Sequence, residues 1–327
     1  MAKSDLNEIW LSPAPHFSMP VTTRRIMLLV IICLLPLCVS GIIFFGVPAL
    51  ITILVSVVCC VGFEACFRLI TKQQPRVTDF SAAVTGLLLA LTLPPATPVW
   101  MTILGALFAV VVAKEFFGGL GANVFNPALA GRAFLMLSFP AALSSWTVPF
   151  DGVSGPTPLS ILQGEGGMQG LADTLGNGSA GELYLNLFLG SRGGTIGETC
   201  VMLILLAFIV LVITRIIDWR APVAMVVTTV AICWIAGTDP LITALTGGLL
   251  FGAVFMTTDY ATSPVTKTGR LLFGFGCGLI TGIIRLFGGF PEGVMFSILI
   301  MNSLVPFLNK IIARKYGFVP VKKEQAT

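Results

Sequence analysis

Among long apolar stretches, the chain carries one short segment suited to presenting a hydroxyl. It runs Asp151-Gly152-Val153-Ser154-Gly155-Pro156-Thr157-Pro158-Leu159-Ser160. Pro156 fixes its own backbone torsion, and Pro158 drives Thr157 toward an extended conformation. Gly152 and Gly155 let another molecule come close to the main chain. Asp151 adds a carboxylate and Ser154 a second hydroxyl. An ordinary loop threonine bonds to nearby backbone. A stiff, extended, water-facing one suits an enzyme that grips a short peptide and modifies its hydroxyl. A second group of residues is polar in apolar surroundings. Asp79, Glu115, Arg132, Asp259, Arg285 and Glu292 stand near the ends of hydrophobic runs. Ionisable groups inside a bilayer are functional candidates by default. Arg132 and Asp259 each adjoin a broken segment, and Asn123 and Asn126 are placed to cap or line the break before Pro127. Glu64 stands four residues before Arg68, the spacing of a helical ion pair.

The elements that must position these groups are apolar. Of 327 residues, 56% are hydrophobic and 10% charged, with a mean hydropathy of +0.96. Soluble domains carry about 25% charged residues, so the chain reads as an all-α polytopic membrane protein. Apolar runs predict helices near 26–45, 47–67, 80–94, 98–114, 127–145, 197–217, 221–237, 239–257, 270–286 and 291–312, about ten spans. The run 80–94 stops at Pro94-Pro95 and the run 127–145 starts at Asn126-Pro127. Short or interrupted helices persist in a membrane only where protein or a cavity satisfies the freed backbone groups. Arg24 and Arg25, Arg68 to Arg76, Lys114, Arg215 and Arg220, Lys267 and Arg270, and the lysines after 310 all fall on one side of a ten-span chain. That side is expected to be the cytoplasm. Both termini belong there, and the loop holding Thr157 belongs on the opposite side. The first 24 residues lack a leading apolar core, so the N-terminus is expected to be retained.

The chain also repeats itself. Ala83-Val84-Thr85-Gly86, Ala96-Thr97-Pro98-Val99 and Phe117-Gly118-Gly119-Leu120 are echoed, in that order, by Ala244-Leu245-Thr246-Gly247, Thr262-Ser263-Pro264-Val265 and Phe287-Gly288-Gly289-Phe290. Five helices per half make the halves inverted with respect to each other, an arrangement that puts sites near the midplane. The expected organisation is an N-terminal arm (1–25), a first five-helix repeat (26–145), an extracytoplasmic loop (146–195), a second repeat (196–314) and a tail (315–327).

Other chemistries find little support. The eight cysteines form no CxxC pair and lie almost entirely in apolar runs, as packing residues do. His16 is the single histidine, so a His-based metal site is excluded and no metal is expected. Neither a phosphate loop nor a dinucleotide fingerprint occurs, and nothing suggests nucleic acid. Asn126-Pro127-Ala128 has the form of a water-channel motif, but the second half offers Phe296-Ser297-Ile298 where a second copy is needed. Asn177-Gly178-Ser179 reads as a solvated turn.

Asp151-x-x-Ser154-Gly155-x-Thr157 is similar to the flavinylation motif of the membrane subunits of the Rnf and Na+-pumping NADH:quinone reductase complexes. Pro156 stands where that family usually has Ala. Lys114–Ala128 and Phe255–Pro264 resemble the same family's signatures, and the likeness covers nearly the whole chain. The short N-terminal arm fits the D subunit of Rnf better than the longer quinone-reductase B subunit. The resemblance implies a bacterial inner-membrane flavoprotein in an ion-translocating ferredoxin:NAD oxidoreductase. It implies FMN esterified to Thr157 by a separate flavin transferase, with Asp151, Ser154 and Gly155 as recognition residues. It implies partners of the Rnf A, B, C, E and G types, with nicotinamide chemistry on one of them, and membrane lipid around the helices. It also suggests a second, non-covalent flavin such as riboflavin. Gly118, Gly119, Asn123, Asn126, Arg132 and Asp259 are candidates for that flavin or for an ion pathway. The rival reading is a solute transporter or channel with inverted repeats and no redox cofactor.

Overall fold

The computed structural model describes residues 22–74, 77–150, 155–164, 167–176, 179–289 and 292–312. His16, Asp151, Ser154 and the Asn177-Gly178 pair lie outside them. The regular structure of the described residues is helical, in agreement with the expected class. Helix α1 (Thr23–Phe45) starts on the Thr22 side chain, and α2 (Val47–Ile70) follows after the turn at Gly46. Then come α3 (Ser81–Thr92), α4 (Val99–Leu107) and α5 (Pro127–Ser138). The second set of long helices comprises α10 (Val201–Ile213), α11 (Arg220–Ile235), α14 (Lys267–Phe287) and α15 (Val294–Ile312). Four helical stretches, Thr23–Phe45, Val47–Ile70, Val99–Phe117 and Lys267–Phe287, are long and apolar enough to cross a bilayer. The chain is therefore a multi-pass membrane protein.

Helix α3 shows how a short helix is tolerated. Its 12 residues reach about 18 Å at 1.5 Å per residue, well short of a hydrocarbon core of about 30 Å. It compensates by being enclosed: Leu89, Ala90 and Leu91 are fully buried, so neighbouring helices rather than lipid meet its ends. Helices α11 and α14 form the closest pair for a different reason. Gly274, Gly278 and Gly282 recur every fourth residue on α14, and a Cβ on either of the first two would collide with the Ala221 or Met225 carbonyl of α11. Small residues at this spacing let two backbones meet where no hydrophobic driving force separates helix from lipid.

Three apolar runs are broken more than their composition indicates. The run 239–257 is two pieces: α12 (Pro240–Leu245), and α13 (Leu249–Phe251) continuing as a π-turn over Gly252–Met256. The break falls at Thr246–Gly248, where Gly247 has φ +68°, a conformation costly for any side chain. The run 127–145 divides at Pro140 into α5 and α6 (Pro140–Leu143), and α4 passes into a π-turn over Phe108–Val112. The segment 146–195, expected as a loop, contains α7 (Pro158–Gln163), α8 (Gly167–Leu175) and α9 (Ala180–Leu189). These build a small core of Leu171, Leu183 and Leu187 that closes on Ile242 of α12. Burying those leucines against the broken helix is what folds the segment down.

Candidate functional site

Thr157 is the N-cap of α7. Its backbone is extended, with φ −77° and ψ 157°, as its place between prolines requires. Its hydroxyl accepts the Ser160 backbone N–H (3.1 Å) and donates to Ser160 Oγ (3.1 Å), which in turn donates to the Thr157 carbonyl (2.8 Å). The expectation of a water-facing hydroxyl is not met: Thr157 is only 8% exposed. Threonine before a helix-starting proline is a capping residue, and the docking of α7 carries the cap inward with it. Gly155, half-buried beside it, donates its N–H to the Trp146 carbonyl (2.8 Å). Thr157 lines a space of about 330 Å³ together with Trp146, Arg192, Glu198, Gly247 and Glu292.

Behind this space lies a cluster of buried charge at the break between α12 and α13. Arg285 of α14 donates to the carbonyls of Thr243 (2.8 Å) and Thr246 (3.0 Å). Arg192 donates to the Leu245 carbonyl and to the Glu198 carbonyl (2.8 Å). The two guanidiniums thus satisfy the orphan carbonyls at the C-terminal end of α12. Glu292 takes the other side of the break, accepting the Gly248 N–H while its second oxygen pairs with Arg132 at 3.4 Å. Glu198 accepts the Thr195 N–H (2.9 Å), and its Oε2 has no hydrogen-bond partner among the described residues.

A second cavity, of about 750 Å³, is mostly apolar with a few convergent polar groups: Lys114, Asn123, Asn126, Asp259 and Tyr260. Asn126 caps α5, accepting the N–H groups of Ala128 and Leu129. Asn123 bridges the preceding turn, from the Gly121 N–H (3.3 Å) to the Phe125 carbonyl (3.1 Å). Asp259 accepts the Thr262 hydroxyl (2.9 Å). Both asparagines therefore do cap and line the break before α5. Apolar walls with a few placed polar groups are the usual form of small-molecule sites.

The six candidates for a membrane flavin or ion pathway divide among three places. Asn123, Asn126 and Asp259 share this cavity. Arg132 belongs instead to the charge cluster near Thr157. Gly118 is exposed, and Gly119 is buried against Arg68 and Glu115. That last contact reveals a network the spacing of residues hides. Glu64 and Arg68 approach at 4.0 Å, but their closer partners are Lys114 (2.5 Å to Glu64) and Glu115 (3.2 Å to Arg68). Lys114 also donates to Ser81 Oγ (2.7 Å). Nothing in the local pattern announces partners about fifty residues away. Arg192 and Glu198 are legible in sequence only as charges beside Gly193-Gly194 in an otherwise apolar chain.

Comparison with known proteins gives one consistent result. The model of the NQR2, RnfD, RnfE family matches residues 10–317. The chain is 41% identical to the D subunit of the Na(+)-translocating ferredoxin:NAD(+) oxidoreductase complex of Acetobacterium woodii, over 98% of this chain and 99% of that protein. It is 39% identical to the D subunit of the proton-translocating ferredoxin:NAD(+) oxidoreductase complex of Clostridium ljungdahlii, over 93% and 94%. It is also 39% identical to the D subunit of the ion-translocating oxidoreductase complex of Stutzerimonas stutzeri, over 90% and 92%.

Proposed function

The chain belongs to the NQR2, RnfD, RnfE family, and from that premise we propose that it is the membrane subunit through which an ion-translocating ferredoxin:NAD oxidoreductase passes electrons on an FMN esterified to Thr157. The observation that carries this reading is the extended Thr157, set between two prolines at the wall of a cavity that also holds Arg192. The relatives' names supply the complex, its other subunits and its ion-translocating character.

A bound flavin supplies electron transfer, and the protein supplies orientation and electrostatics. Thr157 supplies the oxygen that bonds phosphorus. Its proton passes to a base of the transferase, and the donor nucleotide's leaving group departs with the P–O electron pair. Because Thr157 is buried and tied to Ser160, attachment takes place while the 155–163 segment is released from its seat. Docking of α7 afterwards closes Arg192 and Glu198 over the linkage. Asp151 and Ser154 serve recognition by the transferase. The 750 Å³ cavity with Asn123, Asn126 and Asp259 is the proposed seat of a second, non-covalent flavin such as riboflavin.

The architecture proposed with this function is ten spans in two inverted five-helix halves, in a bacterial inner membrane, with Thr157 on the extracytoplasmic side. Reciprocal contacts favour the repeat. Arg132 of α5 reaches Glu292 just before α15. Asn302 of α15 places its side-chain amide beside the N–H of Asn126, just before α5.

Flavin fluorescence in a denaturing gel tests the reading. Chain produced together with the transferase should carry a fluorescent band that survives SDS. Thr157→Val, which keeps the branched shape but lacks the oxygen, should abolish it, whereas Ser154→Ala should weaken it. A wild-type band without fluorescence would favour a transporter or channel of the same fold.

A further inference from the structure

We propose that Arg192 and Glu198 form the cradle for the phosphate of the group carried by Thr157, with the guanidinium supplying charge and the carboxyl a hydrogen-bond donor. The inference rests on the reading that Thr157 bears a phosphoester.

Among the described residues, Arg132, Arg192, Arg285, Glu198 and Glu292 are gathered around one helix break, an excess of one positive charge with both carboxyls ionised. A buried, uncompensated charge is costly, so where each group is committed matters. Glu292 is taken by Arg132 and by the Gly248 N–H. Arg285 is committed to the Thr243 and Thr246 carbonyls. Arg192 touches two neutral carbonyl oxygens and, among the described residues, pairs with no carboxylate within 4.0 Å. It is buried to 2% exposure and faces the same space as Thr157. Arg285 likewise meets only carbonyl oxygens, but Arg192 is the one of the two that lines the space beside Thr157.

A phosphodiester carries one negative charge and two acceptor oxygens. Guanidinium groups suit phosphate because their donors form a planar fork. The unpartnered Glu198 Oε2 completes the match. A nearby phosphate would favour the protonated carboxyl. Protonated, that oxygen becomes a donor instead of an orphan acceptor. The positive charge then left over faces the C-terminal carbonyls of α12, the negative end of a helix dipole. Gly193 and Gly247 in the wall add no side chain that would hold an anion off. The space is too narrow for a flavin ring. It takes the linkage and leaves the flavin ring outside.

The test has two arms on the full-length chain in detergent. Chain made without the transferase, with Thr157 free, is titrated with inorganic phosphate while thermal unfolding is followed by tryptophan fluorescence. Ligand that binds only the folded state raises the melting temperature. The wild type should show a saturable rise, Arg192→Gln should lose most of it, and Arg220→Gln, in a separate ion cluster, should keep it. Chain made with the transferase is checked by intact mass, and its phosphorus resonance is recorded folded and denatured. The folded wild type should differ from the denatured shift, and Arg192→Lys or Glu198→Gln should move toward the denatured value with the mass adduct retained. An adduct with no phosphate response and no folded-state phosphorus shift overturns the cradle and leaves the attachment standing. No adduct on the wild type overturns both.

Discussion

Two buried charge clusters in this protein differ in one respect that assigns them different work. Around Lys114, two cations meet two carboxylates: Lys114 pairs with Glu64 and Arg68 with Glu115. The two unpartnered atoms there, Glu64 Oε1 and Arg68 Nε, face each other at 4.0 Å. Beside Thr157, three cations meet two carboxylates, and the unpartnered Glu198 Oε2 and Arg285 Nε do not pair. The first cluster neutralises itself and ties α2 to the end of α4. The second keeps an excess of positive charge among the described residues. A buried charge network thus reads as scaffold or as site according to whether its own members suffice.

The comparison yields a graded series of outcomes. The largest effect belongs to the self-neutralised cluster. Lys114→Met leaves Glu64 buried and unpaired, which should cost about 3–5 kcal/mol and show as a collapse in folded, membrane-inserted protein. Adding Glu64→Leu should recover part of it, and no recovery would mean that Lys114 serves the adjacent cavity rather than the pair. Next is Arg192→Gln in chain lacking flavin. It strips hydrogen bonds from the Leu245 and Glu198 carbonyls but abandons no carboxylate, so thermal unfolding should register about 1–3 kcal/mol. A loss as large as that of Lys114→Met would erase the distinction between the clusters. Asn126→Ala removes the cap of α5 without touching either cluster, at about 1 kcal/mol, again read by thermal unfolding.

The smallest effect lies in a third ion cluster, nearer solvent, where Asp218 meets Arg220 (2.8 Å) and Arg270 (2.9 Å). Burial alone would raise the Asp218 carboxyl, but the Arg220 N–H and the Arg270 and Arg220 guanidiniums outweigh it and hold the carboxyl below the usual range. A depressed folded value means stability that is present above the ordinary carboxylate pKa of about 3.9 and lost as pH falls through the folded value. Asp218→Asn should therefore lower stability at neutral pH by less than about 1 kcal/mol and flatten the acid limb of the unfolding curve. An unchanged acid limb would remove Asp218 from the pH-sensitive groups.

Much of the scaffold is legible in the sequence because it depends on local pattern. Apolar runs mark the helices, and Asn126-Pro127 marks a helix start at the right residue. What stays hidden depends on contacts distant in sequence. Nothing at Thr157 itself says that α7 will dock and bury it, because the leucines responsible lie on α8 and α9 and close on Ile242. The break in 239–257 is masked by uniform apolarity, although Thr246-Gly247-Gly248 marks the spot. Arg132 and Asp259 look alike in sequence because both adjoin broken segments, yet the fold sends Arg132 to Glu292, 160 residues away.

The central claim is that Thr157 carries the flavin, and intact-mass measurement with peptide mapping tests it most directly. Full-length chain produced with a flavin transferase should be heavier than the bare polypeptide by one FMN in phosphoester linkage. The added mass should map to the peptide containing Thr157 and vanish in Thr157→Val. An unmodified wild-type mass, or an adduct that persists in Thr157→Val, would contradict the account.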